Sequence, residues 1–200
     1  MGTEINKPRL EALSDGVYAV ALTLLVLDLK LPVKSYGGND AALAEALYAL
    51  LPNLLTWLLS FWVLAIYWLA QVRLYRLIKA VDVNVVRLAF AELALISLLP
   101  FSTSLIGEHG DLVPAAVIYS LNLVGFSTLS LVRTNYILKN PALHESQLAH
   151  ELDRVLRAGV WLRLWCSLMA LFLAFFFPGW NMLAMMPLIF FPHYVRRYRL

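Results

Sequence analysis

The side chains best suited to ion chemistry lie in one apolar run that two acids bracket, Asp15 and Asp28. Within this run, spacings of four, three, four and four residues place one stripe on a single helix face: Gly16, Val20, Thr23, Leu27 and Leu31. Copies of such a helix around a shared axis would stack apolar rings, which gate by dewetting, and a hydroxyl ring, which replaces part of an ion's hydration shell. The competing interpretation is a helix-packing face whose threonine bonds to its own backbone.

Asp15 is the acid that most needs a partner. It lies about two turns beyond Arg9, and a carboxylate at that depth in a membrane costs up to a few kcal/mol unless it is paired or hydrogen-bonded. Arg9 and Ser14 are the nearest candidates in sequence. Partners on the second or third apolar segment are equally compatible with the sequence.

Glu92 is a second acid within an apolar segment. One interpretation is a protonatable carrier site. The other, which we favour, is a buried partner for an arginine such as Arg157 or Arg163.

The remaining polar clusters do not indicate an enzyme, a structural metal, a cofactor or a nucleic-acid site. His144 and His150 are six residues apart, and metal binding requires ligands on one helix face. The basic residues near the end of the chain alternate with Tyr194 and Tyr198, which fits anchoring at an anionic inner leaflet better than nucleic-acid binding. No nucleophile–base pair or phosphate-binding loop is evident.

Composition shows which solvent these residues face. Of the 200 residues 61% are hydrophobic and 14% charged, whereas a soluble domain carries about 25% charged residues. A core of this size cannot bury so much apolar surface. The sequence therefore predicts an all-α polytopic membrane protein, with residues 1–200 forming one domain and no separate soluble domain.

Six apolar segments are long enough, or nearly so, to cross a bilayer, which needs roughly 20 residues. They are Leu13–Leu31, Asn53–Val72, Val83–Ile106, Leu112–Val132, Val155–Phe177 and Trp180–Val195. If these segments alternate in direction, 14 of the 16 basic residues fall on one side and only Lys30 and Lys34 on the other. The positive-inside rule then predicts six transmembrane helices with both termini in the cytoplasm.

Two further helices are predicted outside the crossings. One covers Asp40–Leu51, with Asp40 as its N-cap and leucines on one face, until Pro52 interrupts it. The other begins at Asn140-Pro141 and leads into the fifth segment.

The first helix also resembles a known family. The run from Arg9 to Leu27 contains Arg9-x-x-x-Leu13-Ser14-Asp15, and it is similar to the Arg-x-x-x-Phe-Ser-Asp signature of prokaryotic members of the transmembrane-protein-175 family, relatives of the lysosomal potassium channel. The run Leu98-Leu-Pro-Phe101-Ser-Thr-Ser-Leu in the third segment is similar to the same family.

This resemblance implies a potassium-permeable homotetramer whose first helix, about residues 13–31, lines the pore without a conventional filter loop. It places Val20 at an apolar constriction, Thr23 at a hydroxyl layer near permeant potassium and Leu27 at the next apolar layer. It also implies a polar network that fixes the first helix, formed by Arg9, Ser14, Asp15 and Gln71.

Three positions depart from the family pattern. Leu13 stands where phenylalanine is usual, Gln71 follows Trp68 where the family often has histidine, and Val20 is smaller than the expected constriction residue. Gln71 would replace the histidine in the network, which argues against pH sensing there.

With no charged ring at the narrow part, selectivity would come from a weak-field apolar constriction, which favours potassium modestly because potassium loses water more readily than sodium. Asp28 would enrich cations near the outer end. We therefore expect a potassium-preferring channel in a prokaryotic inner membrane, in contact with its lipids. The alternatives are a proton-coupled transporter using Asp15 or Glu92 and a non-conducting membrane scaffold.

Overall fold

The computed structural model of the chain describes residues 6–31 and 39–190, apart from the side chains of Asp28 and of residues 146–153. This part is helical, with one isolated antiparallel bridge between Ile78 and His144. The elements are α1 (Lys7–Leu24), a 3-10 turn (Leu25–Asp28), α2 (Asp40–Ala49), α3 (Leu51–Leu77), α4 (Val83–His109), α5 (Val113–Lys139), α6 (Ser146–Ala174) and a second 3-10 turn (Asn181–Met185).

Within the described ranges, five helical stretches are long and apolar enough to cross a membrane. They are Lys7–Leu27, Leu51–Leu77, Val83–His109, Val113–Lys139 and Arg154–Ala174, each 21 or 27 residues long. At 1.5 Å per residue these lengths match or exceed the hydrocarbon thickness of about 30 Å. They coincide with the first five predicted segments, and the chain is a multi-pass, all-helical membrane protein.

The sixth predicted segment, Trp180–Val195, is described only in part. Asn181–Phe190 forms a short apolar helical stretch, and residues 191–195 lie outside the described ranges, as do the arginines that follow them. The turn before this stretch contains Gly179, with φ of 84°. A Cβ atom there would lie 2.9 Å from the carbonyl oxygen of Gly110, so the turn packs against the α4–α5 connection.

Side-chain caps explain where several helices begin. The Asn6 Oδ1 atom accepts a hydrogen bond from the Arg9 amide at 3.2 Å, and Pro8 lies in the first turn of α1. The N-cap of α2 is Asn39 rather than the predicted Asp40. The Asn39 Oδ1 atom accepts hydrogen bonds from the backbone amides of Ala41 and Ala42. Pro52 lies in the first turn of α3, so the proline both separates α2 from α3 and begins the latter.

The predicted helix start at Asn140-Pro141 is wrong. Asn140 caps the end of α5, where its side-chain Nδ2 atom donates to the carbonyl oxygen of Tyr136 at 2.7 Å. The chain then turns, and the Glu145 amide donates to the carbonyl oxygen of Leu77 at 3.1 Å. This contact holds the turn against the end of α3, and α6 begins only at Ser146.

Aromatic and hydroxyl side chains together form the middle of the bundle. The rings of Tyr67 and Phe126 stack with centroids 4.5 Å apart, and the Tyr67 hydroxyl is 3.1 Å from the Ser127 hydroxyl. A second pair joins Ser60 to Tyr119 at 3.2 Å. Because lipid gives helices little hydrophobic reason to associate, such packing and interhelical hydrogen bonds hold α3 against α5.

Replacing Gly179 with alanine tests the turn that packs against the α4–α5 connection. A side chain at this positive φ costs about 1–2 kcal/mol, and the close approach of Gly110 adds to it. We expect Gly179→Ala to lower the Tm of the purified protein by several degrees. Gly107→Ala is the control, because the new methyl group there meets a side chain at an ordinary 3.8 Å, and an equal loss in both variants would contradict this interpretation.

Candidate functional site

Helix α1 has one face buried in the subunit and one face free of it. The buried face carries Leu10, Ser14, Tyr18 and Ala21, each exposed by 2% or less, and Leu25 at the start of the following 3-10 turn is buried with them. This face packs against α3 and α4. The opposite face carries two residues of the stripe singled out in the sequence, Val20, which is 56% exposed, and Thr23, which is also exposed. Leu27, the next stripe residue, lies in the 3-10 turn that follows α1 and is 59% exposed. A single subunit therefore leaves this stripe uncovered.

The stripe borders an open apolar groove. Its floor is formed by α1 residues from Ala12 to Leu24, and Ser97 of α4 contributes one polar group. A Cβ atom on Gly16 would meet nothing within 4 Å. Glycine at this helical position is thus not required by any close contact within the described subunit.

The Thr23 hydroxyl is oriented by its own helix. Its Oγ1 atom donates to the carbonyl oxygens of Val20 at 2.8 Å and Ala19 at 3.1 Å. The backbone bond of the packing interpretation is present, yet the side chain is exposed. Because a hydroxyl has one proton and two lone pairs, this bond leaves the oxygen to act as an acceptor, which is the role a cation requires.

Two polar contacts attach α1 to α3. The Ser14 hydroxyl donates to the Leu10 carbonyl oxygen at 2.8 Å and lies 3.0 Å from the Tyr75 hydroxyl. The indole nitrogen of Trp68 donates to the Asp15 carboxylate at 2.9 Å. The partners of Ser14 and Asp15 are therefore side chains of the second apolar segment.

The other two residues expected in this network lie elsewhere. Arg9 is exposed, and its side chain makes no hydrogen bond or ion pair with the residues that the structure describes. Gln71 is buried, and its side-chain oxygen accepts a hydrogen bond from Arg133 of α5. Gln71 thus joins α3 to α5.

Glu92 forms a buried ion pair. Its Oε2 atom lies 2.9 Å from Arg133 Nη2, and both side chains are 2% exposed. Our sequence interpretation of a paired carboxylate is right, but the partners named, Arg157 and Arg163, are wrong. The pairing depends on how α4 and α5 align along their axes, which the sequence does not specify.

The burial of two arginines also corrects the charge count behind the topology. Arg133 and Arg163 are 1% and 5% exposed and lie inside the helix bundle. They therefore cannot report the charge of a cytoplasmic loop. The prediction that both termini are cytoplasmic therefore depends on the other basic residues that were assigned to the cytoplasmic side.

The described residues contain no group of three or more His, Cys, Asp or Glu side chains able to hold a metal ion. His144 is buried beside the end of α3, whereas the side chains of His150 and Glu151 lie outside the described residues. The side chain of Asp28 does as well.

A double-mutant cycle tests whether Glu92 and Arg133 form a fixed pair. Removing one charge leaves the other buried and unpaired, so we expect Glu92→Gln or Arg133→Gln alone to destabilise the protein by about 3–5 kcal/mol. The double variant should lose much less than the sum of the two, measured by reversible unfolding in mixed detergent micelles. Additive losses would show that the two charges do not interact.

The family model of the endosomal/lysosomal potassium channel TMEM175 matches residues 9–100. A protein of Chamaesiphon minutus named as a potassium channel is 33% identical over 146 residues, which are 73% of this chain and 71% of that protein. The endosomal/lysosomal proton channel TMEM175 of Rattus norvegicus is 23% identical over 199 residues, which are 96% of this chain but 39% of the rat protein.

The fold agrees with these matches. The crystal structure of a lysosomal potassium-selective channel TMEM175 homolog from Chamaesiphon minutus superposes with a TM-score of 0.75 at 27% identity, covering 97% of this chain and 98% of that one. These relatives are named as channels rather than enzymes, and the matched range begins at Arg9, the first residue of the motif in α1. The chain belongs to the TMEM175 family.

Proposed function

We propose that this protein is a potassium-preferring cation channel in which α1 helices of four identical subunits surround the conduction pathway. The observation that carries the proposal is that α1 and the turn after it have one buried face, while Val20, Thr23 and Leu27 are exposed. Family membership supports it, because a relative of which this chain covers 71% is named as a potassium channel.

The space around Gly16 supports close approach of a second α1 helix. Glycine within a helix is about 1 kcal/mol less favourable than alanine, and no neighbour in the described subunit occupies the space beside it. A small residue facing an open groove is typical of membrane helices that approach each other closely. In the proposed tetramer, this position lies near the cytoplasmic end of the pore-lining helices.

The stripe would set the order of layers along the pore. Val20 would form an apolar constriction that closes by dewetting, and Leu27 a second apolar layer further out. Between them, Thr23 would present a ring of hydroxyl oxygens whose protons are already engaged by the backbone. Such uncharged acceptors favour the ion that loses water more easily, which is potassium.

The proposed arrangement in the membrane goes beyond the five described spans. We place both termini in the cytoplasm, with six crossings per subunit, residues 1–200 forming one channel domain and lipids of a prokaryotic inner membrane around it. The distribution of basic residues supports this orientation, since only Lys30 and Lys34 fall on the outer side. We place Asp28 near the outer mouth, where it would raise the local cation concentration.

The geometry argues against a proton-coupled carrier that uses Asp15 or Glu92. Asp15 lies at the subunit surface bonded to Trp68, whereas Glu92 lies in the bundle paired with Arg133. A carrier site must release and rebind its proton, and Glu92, which is 1% exposed and lies 2.9 Å from the Arg133 guanidinium, has almost no contact with solvent through which to do so.

Potassium flux from liposomes tests the constriction. We expect Val20→Asn to increase leak several-fold, because an amide ring keeps the narrow part wet. Val132→Asn is the matched control, since Val132 is also an exposed valine, 46% accessible, but lies on α5. Equal flux in wild type and Val20→Asn would contradict a constriction at this position, and absence of flux in all three proteins would favour a non-conducting scaffold.

Ion preference tests the hydroxyl layer. We expect Thr23→Val, which removes the hydroxyl and keeps the side-chain shape, to lower the potassium-to-sodium permeability ratio, whereas Thr23→Ser should retain it. The measurement is the reversal potential under bi-ionic conditions without a pH gradient. Identical ratios in both variants would show that the Thr23 oxygen does not contact the permeant ion.

A further inference from the structure

A small cavity between α3, α5 and α6 is lined by two buried arginines. Its volume is about 10 Å³, which is room for one water-sized species. The polar side chains that line it are Tyr67, Gln71, Ser130, Arg133, Thr134 and Arg163. The lining residues that the structure describes include two guanidinium groups and no carboxylate.

The charges around this cavity do not balance. Arg133 has Glu92 as an ion-pair partner, but no carboxylate within the described residues is paired with Arg163, which is 5% exposed. The other charged groups whose fields reach Arg163 are Glu92, already paired, and the half-buried Arg73, which adds positive charge. One buried positive charge is therefore left without a counter-charge.

The two arginines beside the cavity also have N–H groups that donate no hydrogen bond within the described residues. Three guanidinium nitrogens, Arg133 Nε, Arg133 Nη1 and Arg163 Nε, are buried and have no partner in the described part of the chain. An arginine cannot lose its proton, so the charge cannot be relieved by deprotonation. The Tyr67 ring, 5.8 Å from Arg163, contributes about 2 kcal/mol and carries no negative charge, whereas the penalty for a buried unpaired ion is several kcal/mol.

We propose that this cavity binds a single monoatomic anion, chloride being the physiological choice, between Arg133 and Arg163. A water molecule would accept from the free N–H groups but would leave the excess positive charge uncompensated. The space of about 10 Å³ admits one water-sized species, so a polyatomic anion such as phosphate, a carboxylate or a lipid headgroup would require the helices to move apart. Chloride, which is only slightly larger than water, requires no more than a small shift of the lining side chains. The bound anion would join α5 to α6 and stabilise the subunit, and this role is independent of whether α1 conducts potassium.

Thermal stability in matched salts tests the site. Wild-type protein is unfolded in potassium chloride and in potassium gluconate at the same potassium concentration. At tenfold the Kd for chloride, we expect a Tm about 3–5 °C higher in chloride. Arg163→Gln should abolish this difference because it removes the uncompensated charge, whereas Arg76→Gln, which removes an exposed arginine of α3, should retain it.

Bromide in place of chloride gives a second measurement on the wild-type protein, which decides the question even if Arg163→Gln does not fold. We expect an anomalous difference peak between Arg133 and Arg163 in crystals grown with potassium bromide. No peak there, together with the same Tm in chloride and gluconate, would overturn the proposal and leave water as the occupant. A chloride effect that persists unchanged in Arg163→Gln would overturn it as well.

Discussion

The structure depends on the attachment of α1 to the subunit by one face only. Tyr18, Ala21 and Leu25 lie in the core, while Ser14 and Asp15 add hydrogen bonds to Tyr75 and Trp68 of α3. Polar bonds of this kind fix the rotation of a membrane helix about its own axis, because they are satisfied in one orientation. With that rotation fixed, Val20, Thr23 and Leu27 necessarily point away from the subunit.

The remainder of the bundle supplies the support that a fixed α1 needs. Arg133 reaches Glu92 on α4 and Gln71 on α3, so one guanidinium connects three helices. It also lies 5.7 Å from the centre of the Tyr75 ring, whose hydroxyl contacts Ser14. A continuous series of contacts therefore runs from the buried ion pair to α1. The buried charges of Glu92 and Arg133 therefore connect helices to one another, which accounts for charged groups in the interior of so hydrophobic a chain.

The sequence predicted much of this arrangement because hydropathy and helical spacing are local properties. Five described spans coincide with predicted segments, and the residues chosen from their spacing are among those that the subunit leaves exposed. The errors concern relations between distant parts of the chain. Nothing local indicates that Glu92 aligns with Arg133. The sequence left the partner of Asp15 open, and it is Trp68 of the second predicted segment.

The structure of a turn can also depend on contacts with distant residues, which local sequence does not indicate. Asn140-Pro141 has the composition of a helix start, but the bond from Asn140 to Tyr136 and the contact of Glu145 with Leu77 make it the end of one helix and a docked turn. Local propensity favours both outcomes at this dipeptide, and the tertiary contact decides between them. Arg133 and Arg163 likewise resemble loop charges in sequence and become interior groups through packing.

Convergence of α1 helices around an axis can be measured with a soft metal ion. In a Cys166→Ala background, Thr23→Cys would place several thiols around one point, where they would coordinate cadmium, whereas isolated thiols facing lipid would bind it poorly. We expect micromolar cadmium to block potassium flux from liposomes in Thr23→Cys, reversibly on chelation, and to leave Phe172→Cys, on the exposed face of α6, unaffected. Normal flux that cadmium does not alter in Thr23→Cys would contradict a pore lined by this face of α1.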